Sequence, residues 1–153
     1  MEHADQAAIP TSAEDVPDPR DAQAIQNLLQ TYAFFADAGD VSGLASLFVD
    51  DAVWDGNEMG YGAAAGPLPI AELVTAFYRS DQPMMHTPGP AALTRMGDDD
   101  VHSTCWCLAT RWTGDTTIPY IHFHYFDVVH RGDDGRWRFS SRHLRPAFRT
   151  RGG

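Results

Sequence analysis

Residues 120–143 have the sequence YIHFHYFDVVHRGDDGRWRFSSRH, and this stretch decides the fold. Two segments within it, Tyr120 to His130 and Arg136 to His143, have a period of two, with side chains of similar character at every second position. Such alternation is typical of β-strands, because successive side chains of a strand point to opposite faces of the sheet. Between the segments, Gly132-Asp133-Asp134-Gly135 supplies the residues of a turn. The stretch is therefore predicted to be a β-hairpin.

Upstream, the segment Val101 to Trp112 alternates in the same way, and Thr113-Gly114-Asp115 supplies the next turn. The first half of the chain has a helical period instead, with apolar residues three and four positions apart that form one stripe on a helix. The residues of this stripe are Ile25, Leu28, Leu29, Tyr32, Phe35 and Ala36. Asp21 is predicted to cap the start of the helix, and Ala38-Gly39-Asp40 to end it.

Shorter elements are predicted between this helix and the strands. They are a second helix from Val41 to Phe48, a brief strand from Ala52 to Asp55, a loop from Gly56 to Pro69, a third helix from Ile70 to Tyr78, and an irregular stretch around Pro83, Pro88 and Pro90. Helices followed by an antiparallel meander predict an α+β fold, with the helices on one face of a sheet. The predicted domain spans residues 21–146, between a loose leader at residues 1–20 and a flexible basic tail at residues 147–153.

The composition excludes several classes of function. The chain has 153 residues and a formal charge of −10, and an acidic protein repels the phosphates of nucleic acids. Its apolar runs are far shorter than the about 20 residues that cross a bilayer, and residues 1–20 lack the pattern of a secretory signal. We therefore predict a cytoplasmic protein with no nucleic-acid or membrane partner. Lysine is absent from the sequence, which excludes Schiff-base chemistry on a lysine amine.

Arginines are concentrated near the end of the sequence. Six of them lie in the last eighteen residues: Arg136, Arg138, Arg142, Arg145, Arg149 and Arg151. We expect them to belong to a solvated final strand and tail. The alternative is that one of them turns inward and holds an oxyanion of a substrate, because a guanidinium group binds such anions well.

Two cysteines raise the question of a metal site. Cys105 and Cys107 precede His122 and His124, which are predicted to lie on a neighbouring strand, so four ligands of kinds that zinc accepts could converge. Cysteine is also commonly just a small buried apolar residue, and we predict neither a metal site nor a cofactor. Cysteines two positions apart on a strand cannot easily bridge each other, so no disulfide is predicted.

Several short motifs occur in a particular order. They are Tyr32-x4-Asp37-x2-Asp40, Leu44-x2-Leu47-Phe48-x2-Asp51-Ala52-x-Trp54, His86, and Tyr125-x-Asp127 followed by Asp134-Gly135-Arg136-Trp137-Arg138-Phe139. In order and spacing they resemble the SnoaL-like branch of the nuclear-transport-factor-2-like superfamily, over residues 22–146. The resemblance implies a cone-shaped, curved antiparallel or mixed sheet closed by three N-terminal helices. It also implies a homodimer that pairs through the outer face of the sheet.

The dehydratases of this family, among them scytalone dehydratase and bile acid dehydratase, use an aspartate at the end of the first helix to orient a histidine after the third. The matching positions are Asp37 and His86. A carboxylate that accepts the imidazole N–H fixes the tautomer and stabilises the imidazolium formed on proton abstraction. The alternative is that Asp37 caps a turn and His86 is a polar loop residue. Tyr32 is similarly placed to a tyrosine that assists at a substrate oxygen in bile acid dehydratase, or it is a core residue with a bonded hydroxyl.

Other polar side chains are candidates for the same pocket. Arg111 falls where the related dehydratases have a second acid–base residue, and an inward arginine there would stabilise an enolate, phenolate or carboxylate. Its alternative is an exposed strand arginine near a turn. The alignment of the closing hairpin implies that the histidine-bearing face of the strand at 120–130 looks into the cone. The resulting substrate-binding candidates are His122, His124, Phe126, Trp54 and Asp55.

These candidates predict a cofactor-free dehydratase, cyclase or isomerase that acts on a small apolar molecule of polyketide-like, terpenoid or aromatic type. In this hypothesis His86 abstracts a proton and Asp37 orients the ring, while Tyr32, Arg111 or a strand histidine bears the developing charge. One alternative is a non-catalytic ligand-binding or dimerising module of the same fold. Another is a cyclase or epoxide hydrolase with a carboxylate-activated water, for which Asp55 or Asp127 would have to face the cavity.

Overall fold

The computed structural model describes residues 12–78, 81–114 and 120–148, with Tyr120 described by its main chain alone. Within these residues the helices are α1 (Pro19–Ala38), α2 (Val41–Ala45) and α3 (Pro67–Thr75). The strands are β1 (Phe48–Asp55), β2 (Ala63–Ala65), β3 (Met84–Pro88), β4 (Ala92–Arg95), β5 (Asp100–Arg111), β6 (Tyr120–Arg131) and β7 (Trp137–Pro146). Helices precede a long meander, so the predicted α+β class is confirmed. No helix in the described ranges combines the length and apolar character that crossing a membrane requires.

Helix α1 positions one side of the future site. The Asp18 carboxylate accepts from the backbone N–H of Arg20, and Pro19 occupies the first turn, where its missing N–H costs nothing. The predicted cap at Asp21 is therefore wrong by three residues, and the first residues of the helix fall in the predicted leader. The predicted end is confirmed, because Gly39 closes the helix in the left-handed conformation with φ 66°.

The strands form one curved, unclosed mixed sheet in the order β2-β1-β7-β6-β5-β3, with β4 also paired to β5. Neighbours run antiparallel except β1 and β7, which are parallel. The hairpin between β6 and β7 turns at Gly132–Gly135, as predicted. The predicted turn at Thr113-Gly114-Asp115 lies partly outside the described residues.

Several short elements differ from the sequence prediction. Helix α2 stops at Ala45, and β1 already begins at Phe48, because the apolar residues there pack into the sheet. The proline-rich stretch contains strand β3, which tolerates Pro88 because that residue ends the strand. Helix α3 occupies Pro67–Thr75 rather than Ile70 to Tyr78.

The core lies between the helices and the inner face of the sheet. Its side chains include the α1 stripe and every second residue of β5 and β6, such as Cys105, Cys107 and Phe123, all at most 3% exposed. Both cysteines are free thiols that lie buried in the core. The predicted limits of the domain at residues 21 and 146 stay a prediction.

Candidate active site

A cavity of about 120 Å³ opens between the end of α1, α3 and the inner face of the sheet. Most of its wall is aromatic or aliphatic: Ala36, Trp54, Val74, Phe77, Met84, Ala109, Ile121, Phe123 and Leu144. The polar side chains in the wall are Tyr32, Asp37, Tyr61, Tyr78, His86, Arg111 and Tyr125. An apolar pocket with a few convergent polar groups is the usual form of a small-molecule site.

Asp37 and His86 meet inside this cavity. Asp37 lies one residue before the last residue of α1, and His86 lies in the middle of β3, which packs against that helix. The Asp37 Oδ1 atom is 2.6 Å from His86 Nδ1, and Oδ2 accepts the backbone N–H of His86 at 2.9 Å. A carboxylate is an acceptor only, so Nδ1 carries the hydrogen when the ring is neutral, and Nε2 is left with a free lone pair. The contact expected from the sequence is present, and Asp37 does not cap a turn.

Tyr32 stands one and a half helical turns before Asp37 and forms the back of the cavity. The Tyr32 hydroxyl accepts from Trp54 Nε1 at 3.0 Å, and the tyrosine ring is 2% exposed. Burial raises the pKa of Tyr32, while Arg142 opposes that rise, so the hydroxyl keeps its proton. Because its oxygen already accepts a bond from Trp54, the hydroxyl hydrogen can donate toward the cavity. A Cβ atom at position 56 would lie 2.6 Å from the Trp54 indole ring, so Gly56 leaves the room that this ring needs.

Arg111 also lines the cavity, so its side chain has the inward orientation that an anion-stabilising role requires. Its Nη2 donates to the carbonyl of Phe77 at 3.1 Å, and Nη1 donates to the carbonyl of Gln82 at 3.3 Å. These bonds tie the end of β5 to the segment that follows α3. They also fix the guanidinium group in the wall without neutralising its charge.

One arginine of the final strand does turn inward, and it binds a buried carboxylate of the protein. Arg142 is 1% exposed, and its Nε and Nη2 both donate to the Asp127 carboxylate at 2.8 Å. The guanidinium lies 3.6 Å from the ring centroid of Tyr125 and 4.2 Å from those of Tyr32 and Phe139. Burial alone would lower the pKa of Arg142, but the attraction of Asp127 outweighs it and raises the pKa. The pair supports the back wall of the cavity from behind.

The predicted orientation of the β6 histidines is wrong. Ile121, Phe123 and Tyr125 face the cavity, whereas His122, His124 and Phe126 lie on the opposite, outer face. There His124 packs against the exposed ring of Trp106, with centroids 5.9 Å apart, and His122 packs against Phe148 at 5.7 Å. The physical reason is burial: Phe123 and Tyr125 are 3% and 2% exposed, and these aromatic rings fill the core better than imidazole rings would.

One further candidate residue, Asp55, and the alternative of a metal site do not fit the positions of the side chains. Asp55 was a substrate-binding candidate, but its carboxylate accepts the backbone N–H of Asn57 at 2.9 Å and is absent from the described wall of the cavity. The four-ligand metal arrangement does not form, because Cys105 and Cys107 point into the core while the histidines point outward. No cluster of three or more His, Cys, Asp or Glu side chains suited to a metal occurs in the described part of the chain.

Several wall residues are not among those that the sequence predicts to face the cavity. Tyr125 and Tyr61 are two of them, and the Tyr61 ring packs at a tilted angle against Phe77 with centroids 4.9 Å apart. The alternation of β6 contained the necessary signal, because it pairs Tyr125 with Phe123 and Ile121 on the more apolar face. Tyr61 lies in a loop, where no periodicity indicates which way a side chain points.

Comparisons with known proteins place this geometry in a family. The model of the SnoaL-like domain matches residues 18–143. A protein from Novosphingobium aromaticivorans, provisionally named scytalone dehydratase, is 21% identical, with a TM-score of 0.71 over 88% of this chain and 89% of that one. ActVI-ORFA from Streptomyces coelicolor is 20% identical, with a TM-score of 0.71 over 82% of this chain and 96% of its own.

LinA is similar in the same way, at 23% identity and a TM-score of 0.70 over 88% of this chain and 95% of its own. At these identities the solved structures show a common fold. No protein of curated function matches the chain. The domain match covers most of the sequence and agrees with the helices and mixed sheet described above. The chain belongs to the family of the SnoaL-like domain.

Proposed function

We propose that the protein is a proton-transfer enzyme of dehydratase, cyclase or isomerase type, in which Asp37 and His86 form the general base. The observation that carries this proposal is the double contact of the Asp37 carboxylate with the ring and the backbone of His86 inside an apolar cavity. The family and its neighbours, which include dehydratases and cyclases, support an enzyme of this broad kind.

The geometry supports a definite division of roles. The free Nε2 of His86 takes a proton from a carbon or hydroxyl of the substrate, and the imidazolium formed is stabilised by Asp37 at 2.6 Å. The Tyr32 hydroxyl, polarised by the indole N–H of Trp54, donates a hydrogen bond to the substrate oxygen on which charge develops. The aromatic wall excludes water, which strengthens both interactions.

The proposed substrate is a small molecule with a largely apolar body, of polyketide-like, terpenoid or aromatic type. The support is the wall of the cavity, in which aliphatic and aromatic side chains outnumber polar ones. The volume of about 120 Å³ suits a body of about one ring, since a closed cavity of about 150 Å³ holds benzene.

The test uses cyclic β-hydroxyketones, whose dehydration produces a conjugated enone that absorbs in the ultraviolet. We expect His86→Ala and Asp37→Asn each to lower kcat by about 10²–10⁴, the usual contribution of a general base. His124→Ala is the matched control, because this histidine lies on the outer face of the same sheet, and it should leave kcat unchanged. Turnover that survives both changes in the Asp37–His86 pair would show that the pair is not the base.

The alternatives have less support. A carboxylate-activated water needs Asp55 or Asp127 at the cavity, but Asp55 caps a short turn and Asp127 is bound to Arg142. A purely ligand-binding module would not need the oriented histidine.

We also propose that two copies of the chain pair through the outer face of the sheet. Its support here is the aromatic character of that face, where Trp106 is 72% exposed and Phe148 is 75% exposed. Sedimentation analysis of the wild-type protein and of Trp106→Glu tests this pairing. We expect the wild-type protein to be a dimer and the variant to be a monomer.

A further inference from the structure

Arg111 brings a positive charge into the same wall that holds the Asp37–His86 pair. In the pairing of β3 with β5, His86 lies opposite Ala109, and Arg111 follows two residues later on the same strand face. Two residues of a strand advance about 7 Å. A molecule of one-ring size can therefore reach His86 at one end and Arg111 at the other.

The guanidinium group is fixed but not neutralised by the bonds described above. Both acceptors, the carbonyls of Phe77 and Gln82, are neutral. A guanidinium group has five N–H donors in a rigid plane, and these two bonds occupy two of them. The remaining donors suit an oxyanion, and the existing bonds remove most of the entropy cost of ordering the side chain.

The carboxylate in the cavity wall is already bound to His86 and does not neutralise Arg111. Among the described residues of the wall, Asp37 is the carboxylate, and both of its oxygens are bound to His86. Arg111 and Asp37 therefore lie at different ends of the cavity, and each takes part in a different interaction. A ligand that complements both needs a negative group near Arg111 and a proton to give up near His86.

We propose that Arg111 is a recognition site for an organic anion, and that the substrate is a one-ring carboxylate. The carboxylate binds the free donors of Arg111, and the apolar ring packs against Phe77 and Ile121. Because the surrounding wall is apolar, the charged contact is shielded from water and selects strongly for a charged over a neutral ligand. The identification of this anion as the substrate rests on the function proposed above, whereas the anion site rests on Arg111 and the cavity alone.

Isothermal titration calorimetry with two probes tests the site. Benzoate and benzamide have nearly the same size and shape, but only benzoate is charged at neutral pH. We expect wild-type protein to bind benzoate at least about tenfold more tightly than benzamide, as a charge-assisted contact predicts. Arg111→Gln should remove this preference and leave the affinity for benzamide unchanged.

A second measurement needs no variant, in case the loss of the Phe77 and Gln82 contacts unfolds the protein. At equal occupancy of the cavity, benzoate should shift the Nε–H resonance of Arg111 in an NMR spectrum further than benzamide does. The proposal is overturned if benzoate binds no more tightly than benzamide, if neither binds, if the preference persists in Arg111→Gln, or if benzoate shifts the resonance no further than benzamide.

Failure of the anion site is distinguishable from failure of the proposed function. A preference for benzoate that Arg111→Gln removes supports the anion site. If His86→Ala retains turnover in that case, only the role of the Asp37–His86 pair as general base is overturned. Equal binding of the two probes, together with a large loss of turnover in His86→Ala, would overturn only the anion site.

Discussion

The buried pair of Asp127 and Arg142 makes the sharpest prediction on stability. Asp127→Asn removes the charge that faces the guanidinium group but keeps the size of the side chain. Both partners of the pair have side chains that are 0% exposed, and two hydrogen bonds of 2.8 Å join them. The variant therefore leaves a buried cation without its counter-charge, and no water can approach to replace it.

Breaking such a pair from one side costs about 3–5 kcal/mol. For a domain of this length, each kcal/mol lowers the midpoint of thermal unfolding by about 2–4 °C, so we expect a loss of roughly 6–20 °C. The double variant Asp127→Leu with Arg142→Met removes both charges together, and it should recover most of the loss because apolar replacements of buried ion pairs are often neutral.

Urea unfolding followed by circular dichroism measures the free energy of unfolding in all variants. Asp134→Asn is the control, because Asp134 and Arg138 form a 2.7 Å pair at the surface, where water and salt screen the charges. It should leave the unfolding midpoint unchanged. A loss below about 1 kcal/mol in Asp127→Asn would refute the reasoning, because it would be the size of a surface pair.

Three further predictions concern the thiols and the end of α1. Burial raises the pKa of Cys105 to about 12 and of Cys107 to about 11, so both should react with a thiol reagent only after unfolding. Folded protein holds these protons more tightly than unfolded protein, so the urea midpoint should fall as pH rises above 9.0, the ordinary thiol value. Gly39→Ala should cost more stability than Gly60→Ala, although φ is positive at both, because only at Gly39 would a Cβ atom lie 2.9 Å from the Tyr78 ring. Equal costs for the two alanines, or alkylation of the folded protein, would contradict these expectations.

The sequence predicts the fold better than it predicts side-chain orientation. Long periodic segments, such as the α1 stripe and the alternation of β5 and β6, extend over enough residues for the period to be unambiguous. Strand β3 has five residues and ends at a proline, so no period can be recognised in it. His86 could be placed in the site only by family resemblance, not by periodicity.

The inward position of Arg142 depends on an irregularity that alternation cannot reveal. Arg131 pairs with Trp137 and Val129 with Phe139, but the register shifts before Val128 pairs with Ser141. Strict alternation from Phe139 would place Arg142 on the outer face. The bulge adds one residue to β7 and turns Arg142 inward, directly opposite Asp127.

The histidines of β6 show a different limit. Both faces of that strand carry rings, so the hydrophobic contrast between them is small. The family resemblance implies the wrong face, whereas burial of the more apolar set, Ile121, Phe123 and Tyr125, gives the observed one. Arg111, by contrast, could be assigned to the pocket from its matching position in the related dehydratases. Its carbonyl partners could not be predicted, because they lie in segments whose path the sequence does not specify.

The central claim is that Asp37 holds His86 with Nε2 as the free base. Nitrogen-15 NMR of the imidazole ring tests it without a substrate, at about pH 8.5, where an ordinary histidine is neutral. We predict that Nδ1 of His86 carries the hydrogen in the wild-type protein, because it lies 2.6 Å from the Asp37 carboxylate. A hydrogen on Nε2 instead would leave no lone pair toward the cavity, and it would contradict the proposed base.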